Sequence, residues 1–421
     1  MQHIIVGAGP AGVIAAETLR KKNHTDSITI IGDESYPAYS RMAIPYFLAG
    51  EVAQDGTYLR HSENHFDALN INVLADSVTQ IKVDDQSVAL KSGANLSYDR
   101  LLLATGAHAI RPPISGMDSG RVHNCWTLND AHGLLDQVKA DDRVVLLGAG
   151  FIGCIVLQAL VSMKLKITVV ELADRMLARM MDEPGGRMIK SWCEGKGVEV
   201  RTAAKAVGVT DNGSELAIDL DDGSTIVADH LVCAAGVKPN TGYLEGSGIT
   251  IDQGIVVNSH LRTNVENIYA AGDVAQGPDR STGKNEVHAI QPTASEHGRI
   301  AASQMAGDAT PYGGSLSMNV LNTLGLITSS FGIWDGVEDG ERAQVEDSQH
   351  NRYLRLEFED DILIGALAIG LTEHVGVLRG LIQTRVKLGN WKDQLLKDPS
   401  RVMNAYLAKV QGVRSVNQPA G

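Results

Sequence analysis

Apolar residues in this chain gather in short blocks that stop at glycine, and one block pattern occurs twice. Ile4-Ile5-Val6 leads into Gly7-Ala8-Gly9-Pro10-Ala11-Gly12, then a helix-forming stretch to Lys22 and a second apolar block over 27–31. Residues 144–147 lead in the same way into Gly148-Ala149-Gly150-Phe151-Ile152-Gly153, a helical stretch to about Met163 and a block over 166–170. Short apolar runs bounded by glycine predict buried strands, and the longer run after each loop predicts a helix. Leu101-Leu102-Leu103 before Ala104-Thr105-Gly106, and Ile268-Tyr269-Ala270 before Ala271-Gly272-Asp273, predict two further strand ends.

The order of these landmarks predicts an α/β fold with two Rossmann-like dinucleotide-binding domains, one inserted in the other. Arg111-Pro112-Pro113 reads as the outward crossover, because proline removes a ladder donor and fixes the chain direction, and Ala235-Gly236-Val237-Lys238-Pro239-Asn240 as the return. The first domain is then 1–113 with 240–312, and the inserted domain is 114–239. After Pro311 the pattern changes to strands over 318–327, 353–358 and 362–369, with helices over 373–386 and 399–409. Strands followed by helices predict a separate C-terminal α+β domain over 313–421, frayed over 411–421.

Each Gly-x-Gly-x-x-Gly loop has a steric logic. The first glycine makes the tight turn, the second admits a pyrophosphate to the backbone, and the third lets helix and strand pack closely. Helix-end amides and the helix dipole then stabilise the phosphate charge. An acid follows the next strand in both copies, Asp33 and Glu34 in the first and Glu171 in the second, where a carboxylate accepts hydrogen bonds from an adenosine ribose. Glu171 favours the free 2′-hydroxyl of NAD over the 2′-phosphate of NADP, with Arg175 nearby as a softening influence.

The ordered set of two glycine loops, Ala104-Thr105-Gly106 and Ala271-Gly272-Asp273 resembles the two-dinucleotide pyridine nucleotide reductases over essentially the whole chain. That family includes coenzyme A disulfide reductases, NADH oxidases, rubredoxin and ferredoxin reductases and the flavin module of nitrite reductase. The resemblance implies FAD on Gly7, Gly9, Pro10, Ala11 and Gly12, with Asp33, Glu34, Arg41, Met42, Ala104, Thr105, Gly106, Gly272 and Asp273 around it. It implies NAD(H) on Gly148, Gly150, Phe151, Ile152, Gly153, Glu171 and Gly236. Relatives open a helix towards the flavin at the stretch beginning Ala289-Ile290-Gln291-Pro292-Thr293, so Gln291 and Thr293 are expected flavin neighbours, and His297 is left unassigned. The C-terminal unit is similar to the family's interface domain and implies a homodimer or docking onto another subunit.

Composition narrows the partners. A formal charge of −13 disfavours nucleic acid and anionic membranes, which need clustered Lys and Arg. With no apolar run of about 18 residues and no leader pattern, a cytoplasmic location is expected. Cysteines stand at 125, 154, 193 and 233 without a Cys-x-x-Cys pair, so no cluster, zinc site or vicinal disulfide is expected. His61 and His65 have one-turn spacing but no third ligand, and a solvated helix face is expected there.

Departures from the family pattern sharpen the chemistry. Aligning Pro45-Tyr46 with the reactive-cysteine string of the disulfide reductases puts Met42 at the cysteine, and a thioether forms no thiolate. Aligning Arg41 with the ferredoxin reductases puts Tyr46 where they carry a flavin-side lysine. Cys154 stands where relatives carry a glutamate near the nicotinamide, and a packed small hydrophobe is its expected role. FAD then carries the redox chemistry with no catalytic side chain. The leading expectation is an enzyme that exchanges a hydride with NAD(H) and single electrons with an iron–sulfur protein or subunit, as the NAD-reducing flavoprotein of a larger complex. A free-standing NADH oxidase or diaphorase, a ferredoxin or rubredoxin reductase, and a flavin-binding interaction protein remain as alternatives.

Overall fold

The computed structural model describes residues 1–309 and 311–416. They fall into two compact units, one of 1–109, 126–131 and 237–315, the other of 110–125, 132–236 and 316–421. The C-terminal sheet therefore groups with the middle of the chain, and 126–131 groups with the first unit. Among the described residues no helix is long and apolar enough to cross a membrane.

In the first unit, Gln2–Val6 is the central strand of a five-stranded sheet, flanked by Ser27–Gly32 and Arg100–Leu103 with Ile71–Ala75 and Ile268–Ala270 at the edges. All four pairings are parallel. Ile4, Ile5, Ile28, Ile30, Ile31 and Leu101 to Leu103 are buried, as strands covered on both faces must be. Each such side chain contributes roughly 1.5–3 kcal/mol of burial. Helices Pro10–Lys22 and Gln291–Met305 pack against each other. Their approach depends on Gly298, where a Cβ would collide with the Ala11 carbonyl.

The second unit repeats the plan. Arg143–Leu147 is central, flanked by Lys166–Val170 and His230–Cys233, with Glu199–Arg201 and Val122–Asn124 at the edges, again all parallel. Each sheet is accompanied by a three-stranded antiparallel meander, 78–97 in the first unit and 206–228 in the second. The copies differ in where one edge strand comes from. Ile268–Ala270 follows its sheet in the chain, whereas Val122–Asn124 precedes its own.

The C-terminal part is a five-stranded antiparallel sheet whose first two strands are Met318–Thr323 and Leu326–Gly332, with helices Val375–Thr384, Asn390–Lys397 and Val402–Val416. The block over 318–327, expected as one strand, is thus the start of a hairpin. Leu324 and Gly325 turn it with φ of 51° and 92°, the double positive-φ geometry that reverses a chain in two residues. Strand Glu341–Asp347 was not expected, because it is polar at the sheet edge and buries only Ala343. The short helix Asn390–Lys397 was also unexpected. The last helix continues past Gln411 to Val416, beyond the expected start of fraying, and 417–421 lie outside the described residues. Asp182 ties the second sheet's loop to the C-terminal one, accepting from Arg355 Nη1 at 2.8 Å and from the Tyr353 hydroxyl.

Candidate functional site

The first glycine loop is built by exclusion. Gly7 has φ +116°, and a Cβ there would strike the Ala104 carbonyl, while a Cβ on Gly12 would strike the Gly7 carbonyl. Gly9 differs, with nothing within 4 Å of an added Cβ. Its backbone is ordinary extended chain (φ −78°, ψ −175°), so open space rather than strain distinguishes it. Pro10 begins the helix, and no side chain caps its first amides, which leaves the positive helix end facing that space.

Three other segments meet this loop. Ala104-Thr105-Gly106 abuts Gly7 and is knotted by Asn240, whose amide donates to the Gly106 carbonyl at 2.9 Å and whose Nδ2 donates to the Thr105 carbonyl at 2.8 Å. Gly272 has φ +76° and lies against Ala11 and Ala294, 3.2 and 3.4 Å from a Cβ placed on it. Asp273 is thereby held where the two helices begin. Burial pushes its carboxyl up to about 6, against the pull of Arg41. Ser40 donates to the Gln291 side-chain carbonyl at 2.5 Å, and Thr293 is buried in the helix's first turn.

Of the two acids after the second strand, Asp33 is exposed and Glu34 is engaged. Glu34 accepts from Arg41 Nη2 at 2.9 Å and from the Tyr39 hydroxyl. Arg41 also donates to the Ala107 carbonyl at 2.9 Å and stacks over Trp126 at 5.2 Å. Met42 and Tyr46 are 45% and 54% exposed.

The second loop follows the same rule. Gly148 has φ +107° and lies against the Ala234 carbonyl, 2.5 Å from an added Cβ, Gly153 lies against the Gly148 carbonyl, and Gly150 has open space. Ala234-Ala235-Gly236 thus stands to this loop as Ala104-Thr105-Gly106 stands to the first, and Gly236 has φ +119°. Phe151 and Ile152 are partly buried at the helix start. Glu171 accepts from the Ala149 amide at 2.5 Å and the Ala173 amide at 2.7 Å, which holds its carboxylate against the loop. Arg175 is occupied elsewhere, by Asp174 at 2.8 Å and the Met181 carbonyl at 3.1 Å.

Cys154 is fully buried, its thiol reaching the Ala149 carbonyl at 3.6 Å, and burial drives its pKa far above the ordinary thiol range. Desolvation outweighs the helix-start effect here. His297 is buried between Ser315, at 3.1 Å from Nε2, and the edge of Tyr312, and burial lowers it to about 4. His65 is 2.8 Å from Glu17, which also holds Arg60, and His61 lies outside the short helix His65–Ala68. The solvated one-turn pair expected from the spacing is therefore not formed. The Asn240 knot and the Trp126 platform were missed, and only the repeated glycine after strands Arg100–Leu103 and His230–Cys233 hinted at a built loop there.

Both cradles fit a dinucleotide: each leaves its middle glycine open beside uncapped helix amides, and the first sets a partly desolvated carboxyl against them. The family described as pyridine nucleotide-disulphide oxidoreductase matches residues 1–298. The chain is 30% identical over 406 residues to the NADH-dependent phenylglyoxylate dehydrogenase subunit epsilon of Aromatoleum evansii, covering 95% of this chain and 96% of that one. It is 30% identical to the biphenyl dioxygenase system ferredoxin–NAD(+) reductase component of Paraburkholderia xenovorans LB400, covering 91% and 93%. The fold superposes on putidaredoxin reductase, in its covalent complex with putidaredoxin, with a TM-score of 0.89 at 25% identity, covering 97% of this chain and 98% of that one.

Proposed function

From the premise that this chain belongs to the pyridine nucleotide-disulphide oxidoreductase family and is an NAD(H)-dependent flavoprotein oxidoreductase, we propose that it passes electrons between NAD(H) and an iron–sulfur partner. FAD, when bound, supplies a centre able to take a hydride and to give up electrons singly. The chain's own residues bind and orient. The amides of Gly9, Ala11 and Gly12 and the helix behind them would hold the FAD pyrophosphate, Asp273 would receive hydroxyl donors of the ribityl chain, and Gln291 and Thr293 would lie near the ring. The loop of Gly148 to Gly153 would hold the NAD(H) pyrophosphate, and the Glu171 carboxylate, fixed at the loop by the Ala149 and Ala173 amides, would accept from the adenosine ribose.

The observation that carries the iron–sulfur reading is the exposed Met42 and Tyr46 where relatives carry a reactive cysteine or a flavin-side lysine. The thioether of Met42 forms no thiolate and Cys154 is sealed in the core, which supports a route that uses the flavin without a thiol. A role as the NAD-reducing flavoprotein of a 2-oxoacid dehydrogenase complex is supported by the 30% identity to the phenylglyoxylate enzyme's epsilon subunit over nearly the full length of both chains.

The test is an anaerobic titration of the flavin-loaded chain with NADH, followed by mixing with an oxidised ferredoxin whose potential lies above that of NADH. The reading expects the flavin absorption to bleach and ferredoxin reduction to proceed at least tenfold faster than oxygen consumption measured in parallel. Rapid oxygen turnover with no electron delivery to the ferredoxin would instead identify a free-standing NADH oxidase. Failure of NADH to bleach the flavin would leave a flavin-binding interaction protein.

A further inference from the structure

We propose a divalent-cation site of the first transition row, of which Zn²⁺ is the best match, on the hairpin formed by strands Ala275–Pro278 and Asn285–Val287, with Asp279, Glu286 and His288 as its ligands.

The hairpin places these residues by its register. Gly277 pairs with Glu286 and Pro278 with Asn285, so Asp279, just past the end of one strand and two residues from Gly277, lies on the same face as Glu286. Glu286 and His288 are two residues apart and share one face. Their ligand atoms and that of Asp279 all lie within 4.8 Å of one another.

Asp279 is fixed before any ion arrives. Its Oδ1 accepts from the Ser281 amide at 2.8 Å, the Thr282 amide at 2.7 Å and the Thr282 hydroxyl at 3.0 Å. Those bonds close the turn and use one carboxylate oxygen fully. Oδ2 is left over, in a side chain only 1% exposed, and faces His288 Nε2 at 2.9 Å. That distance suits an ion pair, yet neither atom makes an aligned hydrogen bond, and both are buried from water. The two form a buried ion pair whose hydrogen bond is poorly aligned, and a buried charge satisfied so imperfectly favours a partner that binds both atoms. Two donors about 2.1 Å from a common tetrahedral ion stand roughly 3.4 Å from each other, so a cation in place of the shared proton would bind both lone pairs once the side chains part by about half an ångström. One imidazole with two carboxylates suits a borderline ion, because magnesium and calcium take oxygen ligands almost alone.

Position gives the site its consequence. The hairpin is the connection between Asp273 and Gln291, the two ends at which the first cradle receives its carboxyl and its second helix. A cation joining Asp279 to Glu286 and His288 would staple that connection and fix the spacing of the two ends.

The test uses the full, tag-free, flavin-loaded chain, treated with EDTA and desalted, then titrated calorimetrically with Zn²⁺ and separately with Mn²⁺. The expected result is one tight Zn²⁺ site per chain, weakened tenfold or more by His288→Ala and by Glu286→Gln. Zn²⁺ should also raise the melting temperature of the parent chain but of neither variant. Both positions are only partly buried, and retained flavin absorbance and far-UV dichroism certify their folding; if His288→Ala fails that check, Glu286→Gln alone decides. Absence of a tight Zn²⁺ site, or a site of unchanged affinity in a folded variant, overturns the proposal. Flavin content is read independently, so failure here is distinguishable from failure of the functional reading.

Discussion

Thr105 and Asn240 bond reciprocally: the Thr105 hydroxyl donates to the Asn240 carbonyl at 2.9 Å, and Asn240 Nδ2 donates to the Thr105 carbonyl at 2.8 Å. His108 Nδ1, 2.6 Å from Asn240 Oδ1, completes the knot. The loop after Arg100–Leu103 is thus fastened to the point where the chain re-enters the first unit, beside the Gly7 turn.

Asn240→Ala removes one side-chain donor and one acceptor and leaves the Thr105 carbonyl unpaired. A loss of about 1–3 kcal/mol is expected. Thermal unfolding should report it, and flavin release at a fixed temperature should be faster in the variant. Unchanged release with lowered stability would assign the knot to the fold alone.

Gly150→Val is a cleaner probe of the second cradle than either neighbouring glycine. Gly150 has φ −76° and ψ −169°, which any residue adopts, and open space around an added Cβ, so the variant is expected to fold. The valine fills the space assigned to the pyrophosphate. A yellow protein with normal melting and a KM for NADH raised a hundredfold or more is expected. Gly153→Val, by contrast, collides with the Gly148 carbonyl and should lower the yield of folded protein. The contrast is read from flavin content and steady-state kinetics on the same preparations.

Glu171→Ala tests dinucleotide choice. The carboxylate is held at the loop by the Ala149 and Ala173 amides, and Arg175 is paired with Asp174 rather than offered to a phosphate. Loss of the acid should reduce kcat/KM for NADH about tenfold and raise that for NADPH, because a 2′-phosphate no longer meets a like charge. Equal efficiency of the two coenzymes in the unaltered protein would remove Glu171 from this role.

Much of this architecture was legible because its determinants are local. A glycine loop, the strand before it and the helix after it span about two dozen residues, and steric exclusion fixes each glycine within that span. The knot of Asn240 on Thr105 joins residues 135 apart, and the Asp182–Arg355 bond joins residues 173 apart, so no periodicity reveals either. His61 and His65 mislead in the opposite direction. Their spacing is helical, but the chain enters its short helix only at His65, and that imidazole is claimed by Glu17 from another element. Polar edge strand Glu341–Asp347 escaped because only one of its residues is buried. Asp33 and Glu34 were read alike, yet only tertiary packing separates an exposed acid from one held by Tyr39 and Arg41.

The titration of Asp273 gives the last prediction. In the folded chain its carboxyl sits at about 6 against an ordinary 3.8, because burial penalises the charged form more than Arg41 favours it. Between those two values the folded state binds more protons than the unfolded state, so flavin-free protein loses stability as pH rises through that window and carries the full penalty above it. Asp273→Asn has no proton to lose. Flavin-free variant should therefore melt above flavin-free parent at pH 7.5, with the gap closing as pH falls to about 4. Its affinity for FAD should meanwhile drop, since the carboxylate that hydroxyl donors would satisfy is gone. Melting curves across pH on both flavin-free proteins decide the matter, and a gap of constant size at every pH would show that Asp273 is not the desolvated group.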